Sequence, residues 1–569
     1  MLEHIKFTYL IKKGGVKMEK KKYGYFIIIA MIFALSNIIF AQDVITVPNV
    51  YNGQAMGAIN KFIVGDTLSD GSRAHPNAIY RLERGKIYFQ DQTMDLNFNF
   101  TLVADDEDPN SPTRPPMVVR GVDDQGAYTR ILYQCYNDNI KIKVKNIIFQ
   151  GIPTDESIVS GNVYLFTLSG KNIRFEANNC VFNYWPGNVI ENKGYGLENF
   201  TLILKNNIFR NNVGLEDAYS GYSYVGGGKV KQDSIIFHNN TFFNISAYII
   251  YSKEYAGTFE FLHNTLFTSC KGSLRLPNLI NAHFEDNLLY NYQTVAQDSA
   301  HWVSKHYAMV QIREINAEGL AEAGIASNED RLVSYRNNVY GWDQRVKDFW
   351  SEYHLHEVPW MGPITDSLFT KYDNFIDENN LEANPGFDAA MTKAVLDKQL
   401  EWNAIYRTTK TGYADRIYAP NGKYFDLPWP LPEHLTYTNT NLQTYAQGGF
   451  PVGDLNWWGK VADWESWRVT GVRKDNGDNQ IPNKYVLSQN YPNPFNPTTV
   501  INFSIPKTSK IELSVYNVLG QKVATLLNKE LAAGSYKYDF NASNLTSGIY
   551  FYKLQTENYS QTKKMMLLK

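Results

Sequence analysis

The sequence predicts an all-β protein in which a solenoid of stacked coils is followed by a small β-sandwich. Two observations lead to this fold class. An Asn-x-x-aromatic pattern recurs between residues 140 and 345, and apolar residues alternate regularly in several segments after residue 484. Repetition at a spacing of a few tens of residues is typical of solenoids, and period-two alternation is typical of half-buried strands. At 569 residues the chain is long enough for both parts.

Residues 1–41 are predicted to be a secretory signal peptide. The basic stretch "MEKKK" precedes the apolar run "FIIIAMIFALSNIIF", and Ala41 offers a small residue for cleavage. The apolar run is too short for an ordinary membrane span, and a polar sequence follows it. An uncleaved N-terminal anchor is the alternative. The mature protein is therefore expected to begin at Gln42 and to lack a transmembrane span.

The charge distribution argues against a nucleic-acid-binding protein. The formal net charge is −2, but residues 1–41 carry +5 and residues 484–569 carry +6, which leaves −13 for the body of the chain. Such a body lacks the basic footprint that nucleic-acid binding requires. The cysteines lack the close spacing of a disulfide framework or a zinc site, so buried thiols are expected at Cys135, Cys180 and Cys270.

The central repeats predict coils that share one continuous core. Their Asn anchors are Asn146, Asn179, Asn206, Asn240, Asn264, Asn287 and Asn337, at intervals of 33, 27, 34, 24, 23 and 50 residues. One repeat is too short to bury its own apolar face, so the coils must stack, and Asn and aromatic residues are expected to form ladders. The unequal intervals predict loops of different lengths on one side, where binding grooves usually form. Residues 42–345, with an N-terminal cap, resemble the right-handed parallel β-helix of pectate-lyase-like proteins.

Residues 346–480 are predicted to close the β-helix domain. This region is rich in Trp, Tyr and Pro, and its segments "LEANPGFD" and "GGFPVGDLNWW" are similar to the closing segments of some secreted bacterial β-helix proteins. Aromatic rings serve equally well in a packed cap and in a sugar-stacking surface. A packed cap is favoured because large aromatic side chains are usually buried.

The C-terminal part, residues 481–569, carries a set of specific motifs. They are "YPNPFNP" at 491–497, "VYNVLGQKV" at 515–523, "LTSGIYFYKL" at 545–554 and the basic end "KKMMLLK". This part closely resembles the C-terminal sorting domain of proteins exported by the type IX secretion system. The resemblance implies that the type IX machinery is a partner and that the protein is secreted or displayed on the outer cell surface. A generic carbohydrate-binding sandwich is the alternative.

The candidate catalytic residues are Lys253 and Arg275. They are 22 residues apart, about one coil, so they are expected on adjacent coils, and strand alternation predicts that Leu274 and Leu276 face inward and Arg275 outward. The stretch from "YIIYSK" to "KGSLRLPN" resembles the active-site coils of polysaccharide lyase family 6, which implies a Lys base and an assisting Arg. Removing a proton α to a carboxylate requires a base and a cation that stabilises the developing charge.

Three departures separate this stretch from the lyase family. The Arg position of the family is Pro277 here, and the positions of its acidic calcium ligands are Tyr248 and Ser246. The surrounding coils also carry no excess of cations. Calcium is the metal that the resemblance implies, but its acidic ligands are not matched, so the cofactor is left unknown.

The sequence therefore predicts an exported protein that acts on or binds polysaccharide. Three hypotheses follow: a uronate polysaccharide lyase working by β-elimination, a non-catalytic carbohydrate-binding or adhesive scaffold, and a glycoside hydrolase. Glu216 and Asp217 are the carboxylates that a hydrolase would use. His238 and His263, just before two Asn anchors, are expected to form a ladder on the surface.

Overall fold

The computed structural model of the chain contains three sheets of parallel strands. The structure describes residues 43–569 except 108–111, 157–162, 193–198, 214–220, 227–230, 271–273, 277, 297–307, 410–415, 470–471, 475–481, 483, 497, 532, 543–544 and 569. The predicted signal peptide lies outside these residues. The fold is a parallel β-helix followed by a small antiparallel β-sandwich, as the sequence predicts.

Each coil contributes one strand to each sheet in turn, so every sheet is a stack of parallel strands. An eleven-stranded sheet, here called the long sheet, consists of Val44–Thr46, Ile79–Leu82, Phe100–Ala104, Lys141–Lys145, Arg174–Asn178, Thr201–Lys205, Lys231–His238, Tyr255–Leu262, Asn278–Glu285, Leu332–Arg336 and Phe375–Glu378. The ten-stranded sheet consists of Ile87–Gln90, Met117–Arg120, Ile148–Gln150, Val181–Asn183, Ile208–Arg210, Thr241–Ile245, Thr265–Ser269, Leu288–Tyr290, Val339–Gly341 and Leu381–Glu382. The eight-stranded sheet consists of Met94–Asp95, Ile131–Cys135, Tyr164–Leu168, Asn188–Asn192, Tyr222–Gly226, Ile250–Ser252, Leu274–Arg275 and Val310–Gln311.

A two-residue turn joins the long sheet to the ten-stranded sheet in every coil from Lys141–Lys145 onward. Its first residue is left-handed: Asn146, Asn179, Asn206, Asn239, His263, Asp286, Asn337 and Asn379 all have φ between 52° and 62°. Asn and Asp tolerate this conformation better than other residues with a side chain. Four of the repeated Asn residues therefore meet a conformational requirement of the turn: Asn146, Asn179, Asn206 and Asn337.

The second residue of the turn forms an asparagine ladder inside the coils. Its members are Asn207, Asn240, Asn264, Asn287, Asn338 and Asn380, and each side-chain amide donates to the carbonyl oxygen of the next at 2.8 to 3.1 Å. The first five are fully buried. Because each amide also donates to a backbone carbonyl, the ladder satisfies polar groups that the turn would otherwise leave unpaired.

The aromatic residue three positions after an Asn anchor does not always face inward. Phe149, Phe182, Phe209 and Phe242 stack in the core with ring centroids 4.7 to 5.6 Å apart. At Asn240, Asn264 and Asn287 the sequence pattern starts one residue later in the turn, so the aromatic residue it selects falls on the opposite face of the strand. Phe243, Phe267 and Tyr290 accordingly pack outside the coils against the region that follows the β-helix. The prediction of one inward aromatic ladder is wrong for these coils.

Helices cap the coils and border them. They are α1 (Ala58–Gly65), α2 (Ala317–Ala323), α3 (Gln344–Glu352), α4 (Pro363–Lys371), α5 (Ala389–Thr409) and α6 (Val461–Val469), with 3₁₀ turns at Asn328–Asp330, Thr440–Thr444, Gln447–Gly449 and Leu455–Trp458. The segments around α5 and α6 lie along the outer face of the ten-stranded sheet. Trp350, Trp402 and Trp464 are buried, so in these positions the aromatic residues serve packing.

A buried ion pair fixes one of these segments, residues 416–435. Arg210, on the ten-stranded sheet, donates to both carboxylate oxygens of Glu433 at 2.6 and 3.1 Å and to Asn183 at 2.8 Å. Both charged side chains are almost fully buried. The bidentate geometry offsets the cost of removing the two charges from water.

The C-terminal sandwich is formed by two antiparallel sheets of four strands. The strands are Val472–Lys474, Gly534–Asn541, Thr498–Ile505 and Val486–Leu487 in one sheet and Lys522–Leu531, Ser509–Asn517, Gly548–Gln555 and Ser560–Leu567 in the other. Their inward residues share one apolar core that includes Phe503, Leu513 and Tyr552. The alternation read from the sequence thus separates the core-facing residues from the solvent-facing ones.

Candidate functional site

Lys253 and Arg275 lie on adjacent coils, as predicted. Strand Ile250–Ser252 pairs with Leu274–Arg275 in the eight-stranded sheet, and the register places Arg275 opposite Tyr251. Lys253 lies two residues after Tyr251, just past the end of this strand. Adjacency is therefore confirmed, but the direct neighbour of Arg275 across the coils is an aromatic residue rather than the lysine.

Both cations approach the ring of Tyr251. The guanidinium carbon of Arg275 is 5.0 Å from the ring centroid, and Lys253 Nζ is 6.0 Å from it. These distances lie within the range of cation–π attraction. The rings of Tyr222 and Tyr248 meet Tyr251 edge-on, with centroids at 6.0 and 5.6 Å. These five residues are called the Tyr251 cluster below, and sequence reasoning missed its three tyrosines.

The local sequence explains the orientation of the cations. Leu274 and Leu276 are buried in the coil interior, so the intervening Arg275 side chain lies on the opposite face, which confirms the predicted alternation. Lys253 is exposed, and its carbonyl oxygen accepts a hydrogen bond from Asn278 Nδ2 at 2.8 Å. The next residue, Glu254, is buried. Alternation of inward and outward side chains along the chain thus turns both cations away from the core.

Glu254 anchors the chain immediately after Lys253. Its carboxylate accepts hydrogen bonds from Tyr224 Oη at 3.0 Å, Asn192 Nδ2 at 2.6 Å and Ser252 Oγ at 3.2 Å. A buried carboxylate needs such donors to offset its lost hydration. Because these hydrogen bonds hold Glu254 from inside the coils, they also fix the backbone position of the adjacent Lys253.

The calcium positions implied by the lyase resemblance are occupied by packing residues. The ring of Tyr248 belongs to the Tyr251 cluster, and Ser246 is buried with its backbone N–H donating to Asn212 O at 3.0 Å. Within the described parts of the chain, no three His, Cys, Asp or Glu side chains are grouped so that they could hold a metal ion.

Tyr251 and Arg275 belong to a row of residues that crosses the eight-stranded sheet. In register with Tyr251 and Arg275, coil by coil, lie Asp95, Gln134, Thr167, Glu191, Val225 and Gln311. Successive strands are about 4.8 Å apart. The connections that vary most in length also join this sheet to its neighbours: 19 residues precede Val310–Gln311, whereas four precede Leu274–Arg275.

The two histidines do not form a surface ladder. His238 ends a strand and pairs with Leu262, whereas His263 occupies the left-handed turn position one residue later. Both are buried beneath Trp464 of α6, with ring centroids at 5.6 and 5.1 Å. The prediction of an exposed ladder is wrong because the region after the coils folds back over this surface.

His238 belongs to a buried charge network that connects the coils to α6. Its Nε2 is 2.7 Å from Glu260 Oε2, and Arg468 Nη2 donates to the same oxygen at 2.6 Å. Burial lowers the pKa of His238 to about 4. Burial by itself raises the pKa of Glu260, but the hydrogen bond from His238 and the charge of Arg468 outweigh it and hold that pKa well below its usual range. Only His238 is fully buried in this network, which joins the coils to α6.

The carboxylates proposed for a hydrolase, Glu216 and Asp217, lie outside the described residues. A pocket of about 350 Å³ lies elsewhere, between α5 and the segment after it. Its polar lining includes Asp388, Lys398 and His434, but Lys398 Nζ donates to the carbonyl of Ile417 at 2.7 Å. The cation in this pocket therefore has a structural partner.

The motifs of the C-terminal sandwich meet around its last strand. Phe495, within "YPNPFNP", donates its N–H to Met566 O at 2.9 Å and accepts from Leu568 N at 2.9 Å, and Asn493 Oδ1 accepts from Met566 N at 2.8 Å. "VYNVLGQKV" forms a tight hairpin, and "LTSGIYFYKL" supplies the strand that pairs with the last one. Motifs far apart in sequence thus form one compact unit.

Residues 489–568 match the family described as the secretion system C-terminal sorting domain. The protein is exported by the type IX secretion system. Its destination is the cell surface or the extracellular space, and the export machinery is a partner, as the motifs predict. No curated protein and no solved structure matches the chain, so no relative supports the resemblance of the coils to pectate-lyase-like proteins or to polysaccharide lyase family 6. In the described part of the chain, no helix has the length and apolar character needed to cross a membrane.

Proposed function

We propose that the exported β-helix binds polysaccharide along the outer face of its eight-stranded sheet, with the Tyr251 cluster as the central contact. The observation that supports this most directly is the Tyr251 ring with Arg275 at 5.0 Å and Lys253 at 6.0 Å. Aromatic rings offer apolar faces on which sugar rings stack, and the flanking cations donate hydrogen bonds to hydroxyl or carboxylate oxygens.

An extended polymer suits this face better than a small ligand. The row in register with Tyr251 repeats once per coil. Its polar side chains are exposed at Asp95, half-buried at Gln134, Glu191, Arg275 and Gln311, and buried at Thr167. A stack of parallel coils provides such a row over many ångströms without a deep cavity. Variable connections at both ends of the strands are where solenoids usually build their binding surfaces.

The surroundings of Lys253 favour binding over catalysis. A lysine that removes a proton needs burial or neighbouring cations to favour its neutral form. Arg275 shares the Tyr251 ring with Lys253, but Lys253 is exposed to water, which screens their interaction. No cluster of metal ligands among the described residues supports the charge that elimination develops. A uronate lyase with Lys253 as base and Arg275 as helper, and a glycoside hydrolase, are the catalytic alternatives.

One experiment separates these functions. Purified protein is incubated with a panel of neutral and uronate polysaccharides, with and without calcium, and glycan retention, ultraviolet absorbance and new reducing ends are recorded. Retention without products supports the binding function. A rise in absorbance that disappears in Lys253→Ala, but persists in the exposed-lysine control Lys143→Ala, would instead establish a lyase. New reducing ends without absorbance would establish a hydrolase, and no retention by folded protein would reject the proposal.

A further inference from the structure

The turn of the hairpin between strands Ser509–Asn517 and Lys522–Leu531 is closed by hydrogen bonds to Asn517. Asn517 Oδ1 accepts hydrogen bonds from the N–H groups of Leu519 and Gln521, both at 3.0 Å. Gly520 N–H donates to Asn517 O at 3.0 Å, and the left-handed φ of Gly520, 75°, is one that glycine adopts without strain. The side chain of Asn517 thus closes the turn from inside and fixes the two residues at its tip.

The tip of this hairpin is apolar and exposed. Val518 is 66% exposed and Leu519 is 78% exposed, and neither belongs to the apolar core of the sandwich. Among the described residues, the three most exposed large apolar side chains are these two and Tyr491, all within the sorting domain. Val523, at the base of the same hairpin, is 37% exposed. Single exposed apolar residues are ordinary, but a rigid tip with two adjacent ones is a surface built for contact.

We propose that Val518 and Leu519 are the anchor by which the sorting domain docks into an apolar socket on a protein of the type IX secretion machinery. The domain is of a kind that this machinery recognises. Docking of a rigid tip loses little conformational entropy, and buried apolar anchors at the centre of an interface dominate binding energy. This inference does not depend on the polysaccharide proposal.

The charges around the tip favour a protein socket over a lipid surface. Lys522, the cation nearest to the tip in sequence, is paired with Glu512 at 2.5 Å. Elements that insert into membrane interfaces usually carry an excess of Lys or Arg beside their apolar residues. The neutral polar residues Asn517 and Gln521 flank the tip instead, as expected for the rim of a protein interface.

The test is export of the full chain in a bacterium that has a type IX secretion system. The variant Val518→Ser with Leu519→Ser keeps the turn, because serine is well tolerated there. The matched control, Val64→Ser with Leu68→Ser, removes two apolar side chains that are 52% and 53% exposed in the β-helix domain. Thermal unfolding of both purified variants verifies that they fold, and quantitative immunoblotting measures the fraction of protein outside the outer membrane.

We expect the tip variant to be exported about tenfold less than wild type, the effect of losing a hot-spot anchor, with unchanged export of the control. Unchanged export of a folded tip variant would overturn the inference. Equal loss in the control would also overturn it. Tip-dependent binding of the purified protein to phospholipid vesicles, together with normal export, would assign the tip to lipid and reject the protein socket.

Discussion

Arg275 lies directly opposite Tyr251 on the neighbouring coil, with its guanidinium carbon 5.0 Å from the centroid of the tyrosine ring. The pairing joins residues that are 24 positions apart in sequence. The guanidinium of Arg275 and the ring of Tyr251 thus form one continuous contact surface. The same ring receives Lys253 at 6.0 Å, so one tyrosine organises both candidate residues.

Replacing Tyr251 is the sharpest test of this surface. Tyr251→Ala removes the stacking face, and we expect glycan retention to weaken about fivefold, which corresponds to about 1 kcal/mol. Tyr251→Phe retains the ring and should bind within about twofold of wild type. Affinity electrophoresis in glycan-containing gels measures both variants. Equal retention by wild type and Tyr251→Ala would show that Tyr251 does not contact the glycan.

The asparagine ladder should be essential for stability. Asn264 accepts from Asn240 and donates to Asn287 and to the Phe237 carbonyl. Asn264→Ala leaves several buried groups unpaired, and we expect a loss of about 3 kcal/mol in the free energy of unfolding. Asn380→Ala, at the half-buried end of the ladder, should cost about 1 kcal/mol. Urea unfolding, monitored by tryptophan fluorescence, compares the two variants. Equal losses of unfolding free energy would contradict a ladder whose buried middle contributes more than its end.

The buried pair Arg210 and Glu433 should hold residues 416–435 on the coils. Glu433→Ala leaves a buried guanidinium without its carboxylate, which costs about 3 to 5 kcal/mol. We expect this cost to appear as faster hydrogen exchange and proteolysis within the segment. The double variant Arg210→Met with Glu433→Leu removes both charges and should restore much of the protection. Protection unchanged in Glu433→Ala would show that apolar packing suffices.

Burial of His263 makes the folded protein sensitive to acid. Burial lowers the pKa of His263 from 6.5 to about 3. Between these values the unfolded state binds the proton and the folded state does not, so stability decreases as the pH falls through this window. From pH 7 to pH 5 we expect wild type to lose about 2 kcal/mol more than His263→Asn, which suits the left-handed turn. Urea unfolding at both pH values measures the difference. Equal losses of stability in wild type and His263→Asn would show that a group other than His263 takes up the proton.

Local patterns in the sequence were sufficient for the fold class and for the export signal. Alternation in "INFSI" and "IELSV" specifies which residues of the sandwich face its core, and the sorting motifs are short and specific. The Asn repeats also reveal the stacked coils, because every two-residue turn has a left-handed first position and most have a buried ladder position after it, and both favour Asn. A conformational requirement that recurs in each coil selects the same residue type each time. The repeat is therefore visible in the sequence without knowledge of the packing.

The candidate site depended on relations that no local pattern contains. Strand alternation predicts that Arg275 faces outward, but only the register between coils places it against Tyr251 instead of Lys253. His238 and His263 are polar residues in a repeating position, yet they are buried because α6 returns from some 200 residues later to cover them.

The β-helix class, the alternation of its strands and export by the type IX route all follow from local sequence, because backbone conformation and alternation are set by neighbouring residues. The side chains that meet across coils and the surfaces that the closing region covers are known only from the folded chain, because register and burial depend on packing between segments that are distant in sequence.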